Sequence, residues 1–245
     1  MATSNTLNTA MPINVSDGGI GAATLLDHGV LVGSGTAAVT PLAVGATGQY
    51  LSGVTDGDPA WTSTTPLSGA FSFVSRTTVS TAVSTIEFTD LDEAGASYMF
   101  IFEGISCVEQ NTNFQSYLST DNGSNWLTAT NYVVAGYSLA TITSTPTQFT
   151  GETYIRLTLY KEMGQDPECA LTGQLLLISP QNSNYWKTGE YQIGYREWLH
   201  DGAEYTRVWG DFKYATSTAV DAIKFQMGDG NIDAGNITCY KLSGS

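Results

Sequence analysis

The sequence predicts an all-β protein. Residues 71–245 are predicted to form an antiparallel β-sandwich of jelly-roll type, preceded by an extended stem rich in glycine, alanine and threonine at residues 16–70. Short strand-like runs separated by turn residues recur throughout the longer segment. No window shows the sustained 3.6-residue period of a helix. The only aromatic residues before Phe71 are Tyr50 and Trp61, and no lysine or arginine precedes Phe71. The stem therefore has too few aromatic residues to build an aromatic core.

The stem is rich in light residues and contains no Asp, Glu, Lys or Arg between Asp27 and Asp56. Its short apolar runs include GVLVG (29–33), TPLAVG (40–45) and GQYLSG (48–53), and they are separated by glycine, serine and threonine. A single such chain would leave apolar side chains and backbone groups exposed to water. Association of several copies around a narrow shared axis would cover them, and three-fold symmetry is the natural case. The alternative is a flexible linker, because segments rich in glycine and serine usually remain disordered.

In the head, residues 71–245, apolar and polar residues alternate as they do in half-buried strands. In TYIRLTLY (153–160), Ile155, Leu157 and Leu159 share one face, which we predict to be buried. Turn residues such as Asp-Asn-Gly at 121–123 separate the runs. Ten such runs predict two packed sheets rather than a single one.

The composition excludes several classes of protein. The net charge of −14 disfavours a nucleic-acid partner, because the chain repels phosphate groups. No run of 18 apolar residues occurs, so no membrane insertion is expected, and the N-terminal segment lacks the basic and apolar regions of a secretory signal. The cysteines are odd in number and far apart, so we predict reduced core residues of strands. They are Cys107, Cys169 and Cys239.

Motifs for catalysis or cofactor binding are weak. GSGTAA (33–38) matches the dinucleotide-binding pattern, but Thr40 and Pro41 prevent the helix that this motif requires. A Ser-His-Asp triad would need His200 with Asp201 or Asp211, and nothing in the sequence marks a nucleophile. We therefore predict neither an enzyme nor a cofactor.

Acidic residues leave two further possibilities open. Asp90, Asp92 and Glu93 could bind Ca²⁺ through clustered carboxylates, although their spacing differs from that of regular calcium loops. Glycoside hydrolysis requires two carboxylates that flank a sugar bond. The candidates for these two carboxylates are Asp90, Asp92, Glu93, Glu190, Glu197, Asp201 and Glu204. The alternative is that all of them are solvated residues of an acidic surface.

The segment SNYWKTGEYQIGYREWLHDG (183–202) concentrates aromatic residues in a stretch that also contains glycine and asparagine. It is interpreted as loop-like. Tyrosine and tryptophan rings offer a flat apolar face and a polar tip, which suits stacking on a sugar. The predicted ligand-binding residues are Trp126, Tyr185, Trp186, Tyr191, Tyr195 and Trp198. The alternative is that several of these rings fill the end of the sandwich.

Three segments carry a resemblance to a known family. They are the glycine-rich residues 16–61, FQSYLSTDNGSNW (114–126), and AIKFQMGDGNIDAGNITCYKL (222–242) with its G-N-x-x-x-G-x-I pattern. With these segments the chain resembles phage tail-fibre proteins. The resemblance implies a homotrimeric virion protein that is made in the host cytoplasm. Residues 1–15 would anchor it to other virion structural proteins, and the head would point outward.

The predicted function is attachment of a phage to a receptor on the host surface, either a glycan or a protein. One alternative is a capsid fibre or tail-tip decoration protein that binds no receptor. A second is a glycan depolymerase, and a third is a secreted carbohydrate-binding module. The family resemblance does not identify a ligand, so it implies no binding residue.

Overall fold

The computed structural model describes residues 19–22, 24–63, 71–140, 143–159, 163–197 and 205–242. The chain divides into two compact units, Met1–Pro66 and Leu67–Ser245. The regular structure described in both units is antiparallel β-sheet. Across these described ranges, no helix has the length and apolar character needed to cross a membrane.

The described part of the first unit consists of two hairpins. Strand β1 (Val30–Val32) pairs with β2 (Thr40–Leu42), and β3 (Gln49–Val54) pairs with β4 (Gly57–Ser63). The apolar runs of the stem coincide with β1, β2 and β3. Trp61 of β4 donates a hydrogen bond from Nε1 to a backbone carbonyl in the segment between the hairpins, at 2.5 Å. The two hairpins are thereby joined within this unit.

The described part of the second unit contains twelve strands. They are β5 (Phe71–Val79), β6 (Thr85–Phe88), β7 (Ser97–Cys107), β8 (Phe114–Ser119), β9 (Tyr132–Ala140), β10 (Thr143–Glu152), β11 (Ile155–Arg156), β12 (Leu171–Ile178), β13 (Lys187–Arg196), β14 (Tyr205–Tyr214), β15 (Ala222–Met227) and β16 (Ile232–Leu242). A 3₁₀ turn, Pro167–Cys169, precedes β12. Strands β10 and β13 are absent from the sequence-based prediction. The interpretation of residues 183–202 as loop-like is therefore wrong at β13.

The twelve strands form two antiparallel sheets. The larger sheet has the order β10-β9-β14-β13-β12-β7-β16-β5, and the smaller has the order β11-β8-β15-β6. Phe100 and Phe102 of β7 contact Phe225 of β15, with ring centroids 5.4 and 5.2 Å apart. Because these rings come from different sheets, the two sheets share one aromatic core in a sandwich-like arrangement.

Several core predictions are confirmed. Ile155, Leu157 and Leu159 are at most 1% exposed, although only Ile155 and Arg156 of residues 153–160 belong to a hydrogen-bonded ladder, as β11. All three cysteines are buried and free. Cys107 and Cys239 lie in strands as predicted, whereas Cys169 lies in the 3₁₀ turn.

The larger sheet has an inner face on the core and an outer face exposed to solvent. Strand β14 shows the alternation clearly, since Val208 and Phe212 are buried whereas Arg207 and Asp211 are exposed. Tyr191 of β13 points to the inner face, where its hydroxyl donates a hydrogen bond to the backbone carbonyl of Arg156. The side chains available to a ligand on β12, β13, β14 and β9 are therefore the alternate ones that point outward.

Candidate ligand-binding groove

Four outward-facing residues form a row across the larger sheet. Gln174 of β12 lies opposite Gln192 of β13, which lies opposite Trp209 of β14, which lies opposite Tyr137 of β9. Directly opposed residues on one face have Cβ atoms about 4.5–5.5 Å apart. Two amides and two aromatic rings therefore follow one another without interruption across four strands. Tyr137 is exposed and Trp209 is half-buried.

A second row runs beside the first and contains two carboxylates. Glu190 of β13 lies directly opposite Asp211 of β14. Leu176 of β12 and Ala135 of β9 lie on either side of the acidic pair. Among the described residues neither carboxylate forms an ion pair. The centre of this face therefore carries two adjacent negative charges that no described cation neutralises directly.

Arg207 and Tyr205 lie on the opposite side of the first row. The guanidinium of Arg207 lies over the ring of Trp209, 5.3 Å from its centroid. Tyr205 covers Gly194 of β13, because a Cβ atom built on that glycine would lie 2.1 Å from the tyrosine hydroxyl. Glycine at this position leaves room for the ring, which is 58% exposed and forms a wall at this end of the face.

Several depressions lined by described residues open on this same face. The central one has a volume of about 160 Å³ and is bordered by both glutamines, both carboxylates and Trp209. Neighbouring depressions of about 300, 320 and 310 Å³ adjoin Arg207, Lys213 and Tyr137 respectively. We name this surface the outer-face groove and define it by Tyr137, Gln174, Glu190, Gln192, Trp209 and Asp211.

Two of the predicted ligand-binding residues belong to the core. Tyr191 and Tyr195 are 3% and 1% exposed. Their hydroxyls donate to the carbonyls of Arg156 and Thr158 at 2.9 and 3.1 Å, and burial raises the pKa of Tyr191. The prediction that these rings stack on a ligand is therefore wrong. The physical reason is the alternation of β13, which turns both rings to the inner face.

Tyr185 and Trp186 are the predicted residues that remain accessible near the groove. They precede β13 and are 70% and 55% exposed. The ammonium of Lys213 lies 4.8 Å from the centroid of the Trp186 ring, and Lys213 borders one of the depressions on the outer face. Trp186 therefore extends the aromatic surface beyond the end of the groove.

The remaining two predicted aromatic residues do not join the groove. Trp126 is half-buried in the turn after β8, and the ammonium of Lys224, from β15, lies 5.0 Å from its ring centroid. Both β8 and β15 belong to the smaller sheet. Trp198 lies outside the described residues.

Three of the acidic candidates outside the groove, Asp90, Glu93 and Glu197, have structural partners. Asn122 donates to Asp90 at 2.9 Å, and Glu93 pairs with Lys241. In the described part of the chain, no group of three or more histidine, cysteine or acidic residues is arranged to hold a metal. The structure therefore offers no support for a calcium site at Asp90, Asp92 and Glu93. Glu197 is buried and accepts a hydrogen bond from Thr206, whereas His200, Asp201 and Glu204 lie outside the described residues.

Most residues of the groove are not among those predicted from the sequence. A usable signal existed in EYTRVWGDFKY (204–214), where alternation places Arg207, Trp209 and Asp211 on one face. Glu190 was considered only as one of several separate acids. Its opposition to Asp211 depends on strand register, which no single segment of sequence reveals.

Comparison with protein-family models, curated proteins and solved structures found no match. The groove is therefore interpreted from its own chemistry. It offers aromatic faces, amides that donate and accept hydrogen bonds, and carboxylates that only accept them. This combination suits a ligand that has apolar C–H faces and many hydroxyl groups.

Proposed function

We propose that the chain is a phage virion fibre protein whose head binds a host-surface glycan, without catalysis, through the outer-face groove. The observation that carries this proposal is the row formed by Gln174, Gln192, Trp209 and Tyr137 in register on one open face. The two rings offer apolar surfaces to the C–H side of a sugar. The amides and the neighbouring carboxylates bond its hydroxyl groups. The described resemblance to tail-fibre proteins supports the location on a virion.

We propose a jelly-roll topology for the head. Strands β5, β7, β12 and β16 are adjacent in one sheet, and β6, β8, β11 and β15 form the other. Successive strands of these two sets exchange between the sheets in the manner of two Greek keys. The hairpins β9–β10 and β13–β14 extend the first sheet at the β12 edge. The groove lies mainly on this extension.

The first unit is proposed to hold three copies of the chain together as a stem. Leu31, Val44, Leu51 and Val54 are between 39% and 65% exposed, and association of copies would cover such side chains. Three linked heads gain avidity when they bind a surface together. Light scattering should give three times the chain mass of 26.1 kDa. A monomer at micromolar concentration would identify this segment as a linker.

The alternative of a decoration protein that binds no receptor is tested by competition. Purified full-length protein at excess concentration should block adsorption of the phage to its host if the groove binds the receptor. Undiminished adsorption would favour a capsid fibre or tail-tip structural role.

A depolymerase is the second candidate function, and the pair Glu190 and Asp211 favours it. Directly opposed Cβ atoms are about 4.5–5.5 Å apart, which allows the two carboxyl groups to approach the separation of about 5–5.5 Å found in retaining glycosidases. We place this function second because both carboxylates are exposed, whereas a catalytic acid usually occupies a buried, apolar setting. The appearance of new reducing ends in host polysaccharide would overturn the non-catalytic proposal.

The binding proposal is tested with Trp209→Ala, which removes the central ring. We expect at least a tenfold loss of affinity for host cells or their isolated polysaccharide, equivalent to about 1.4 kcal/mol. Phe73→Ala is the matched control, because Phe73 is an exposed ring (64%) on the distant edge strand β5 of the same sheet. Equal affinity for Trp209→Ala and the unmodified protein, with the fold intact by circular dichroism, would contradict the proposal.

A further inference from the structure

We infer that the outer-face groove takes an uncharged, hydroxyl-rich glycan chain, and that Glu190 and Asp211 are specificity-determining residues that exclude anionic glycans. This inference rests on the proposed glycan-binding function and names the class of glycan. It follows from the position of the two carboxylates relative to the row of rings and amides.

The first step concerns charge at the centre of the groove. The central depression is bordered by both Glu190 and Asp211, and like charges that face each other directly across strands are destabilising. An anionic group bound there would add a third negative charge beside them. The net charge of −14 on the chain adds to this repulsion at longer range.

The second step concerns the nearby cations. Arg207 and Lys213 also face outward on β14, but their charged groups lie over aromatic rings. The guanidinium lies over Trp209 and the ammonium lies over Trp186. Along the strand they occupy positions on either side of Trp209 and Asp211, so they line neighbouring depressions and not the central one. The depression beside Lys213 is also bordered by Glu190 and Asp211, whereas the central one contains both acids without either cation. The centre of the groove therefore remains negative.

The third step concerns hydrogen bonding. An ionised carboxylate can only accept hydrogen bonds, whereas the amides of Gln174 and Gln192 both donate and accept. Sugar hydroxyls supply donors for the carboxylates and both donors and acceptors for the amides. Carboxylate, sulfate and phosphate groups supply only acceptors when they are ionised, so Glu190 and Asp211 would be left without a donor. An uncharged sugar that stacks on Trp209 satisfies every one of these groups.

The test uses the full-length protein on a printed array of uncharged, uronate-containing, sulfated and phosphorylated polysaccharides. We expect the protein to bind uncharged members only. The double variant Glu190→Gln, Asp211→Asn keeps a similar shape and removes both charges, so its affinity for anionic members relative to uncharged members should rise at least tenfold. Glu109→Gln, Asp233→Asn is the matched control, because it removes two exposed charges outside the groove.

Each outcome of this test is decisive. Binding of anionic members by the unmodified protein would overturn the inference, as would an unchanged profile for the groove variant. An equal gain for the control variant would assign the effect to net charge, which also overturns it. Absence of binding to every member by the folded protein would overturn the glycan-binding proposal itself. Where the unmodified protein binds, Trp209→Ala should weaken binding to each bound member at least tenfold, which tests the proposed site separately from its specificity.

Discussion

Glu190 and Asp211 face each other directly across β13 and β14 at the centre of an open sheet surface. Glu103, on β7 of the same sheet, instead pairs with Arg76 at 2.9 Å. The opposed acids thus lower the stability of the sheet locally. Side chains that are unfavourable for folding at an exposed site indicate a role in function.

Asp211→Asn is expected to raise the free energy of unfolding by about 0.2–1 kcal/mol, because it removes a like-charge cross-strand pair. Urea denaturation at low ionic strength measures the change. Added salt should reduce the difference between the variant and the unmodified protein, since salt screens exposed charges. Asp233→Asn, which removes an exposed acid outside the groove, is the control. A destabilised Asp211→Asn variant would show that this carboxylate has a structural partner.

Tyr191→Phe is expected to lower the free energy of unfolding by about 0.5–1.5 kcal/mol. It removes the hydroxyl that bonds to the Arg156 carbonyl in the core and leaves glycan binding unchanged. Thermal or urea denaturation, together with a binding assay, measures both effects. Tyr185→Phe is the control, because Tyr185 is exposed and its hydroxyl should contribute little to stability. Loss of binding by a stable Tyr191→Phe variant would restore Tyr191 as a ligand-binding residue.

The strands that alternate strictly could be predicted from the sequence, because a period of two residues is a local property. Residues 155–159 illustrate this, since their buried face was correctly predicted. The same signal was present in KTGEYQIGYR (187–196), but its glycines and the nearby asparagines favoured a loop. These glycines are accommodated because neighbouring rings occupy the space, as Tyr205 does over Gly194.

The row of the groove could not be predicted in the same way. It requires β14 to pair with β9, which precedes it by more than sixty residues, and β12 to pair with β7. Gln174 and Gln192 carry no local feature that separates them from other exposed glutamines. Their place in a binding surface becomes evident only when strand register aligns them with Trp209.

Substitutions at two glycines should distinguish a position that packs on the inner face of the sheet from a position that borders the groove. A Cβ atom at Gly210 would lie 2.4 Å from the buried ring of Tyr191, so Gly210→Ala is expected to destabilise the fold by about 1–3 kcal/mol. At Gly194 the nearest atom is the far end of the exposed Tyr205 side chain, which can move. Gly194→Ala should therefore change glycan affinity while its loss of stability is smaller. The reverse order of stability in urea denaturation would contradict the assignment of the two faces.

The last prediction concerns alkaline pH and the buried thiols. Burial raises the pKa of Cys107 to about 11 and that of Cys239 to about 12, from an ordinary value of 9.0. Above pH 9 the unfolded chain releases protons that the folded chain still holds, so the free energy of unfolding should fall as pH rises towards 11 and stay steady below pH 8. Cys239→Ala should reduce this slope by about 1.4 kcal/mol per pH unit, the value for one proton. Urea denaturation from pH 7 to pH 10.5 measures the slope. An unchanged slope in Cys239→Ala would mean that this thiol reaches solvent in the folded protein.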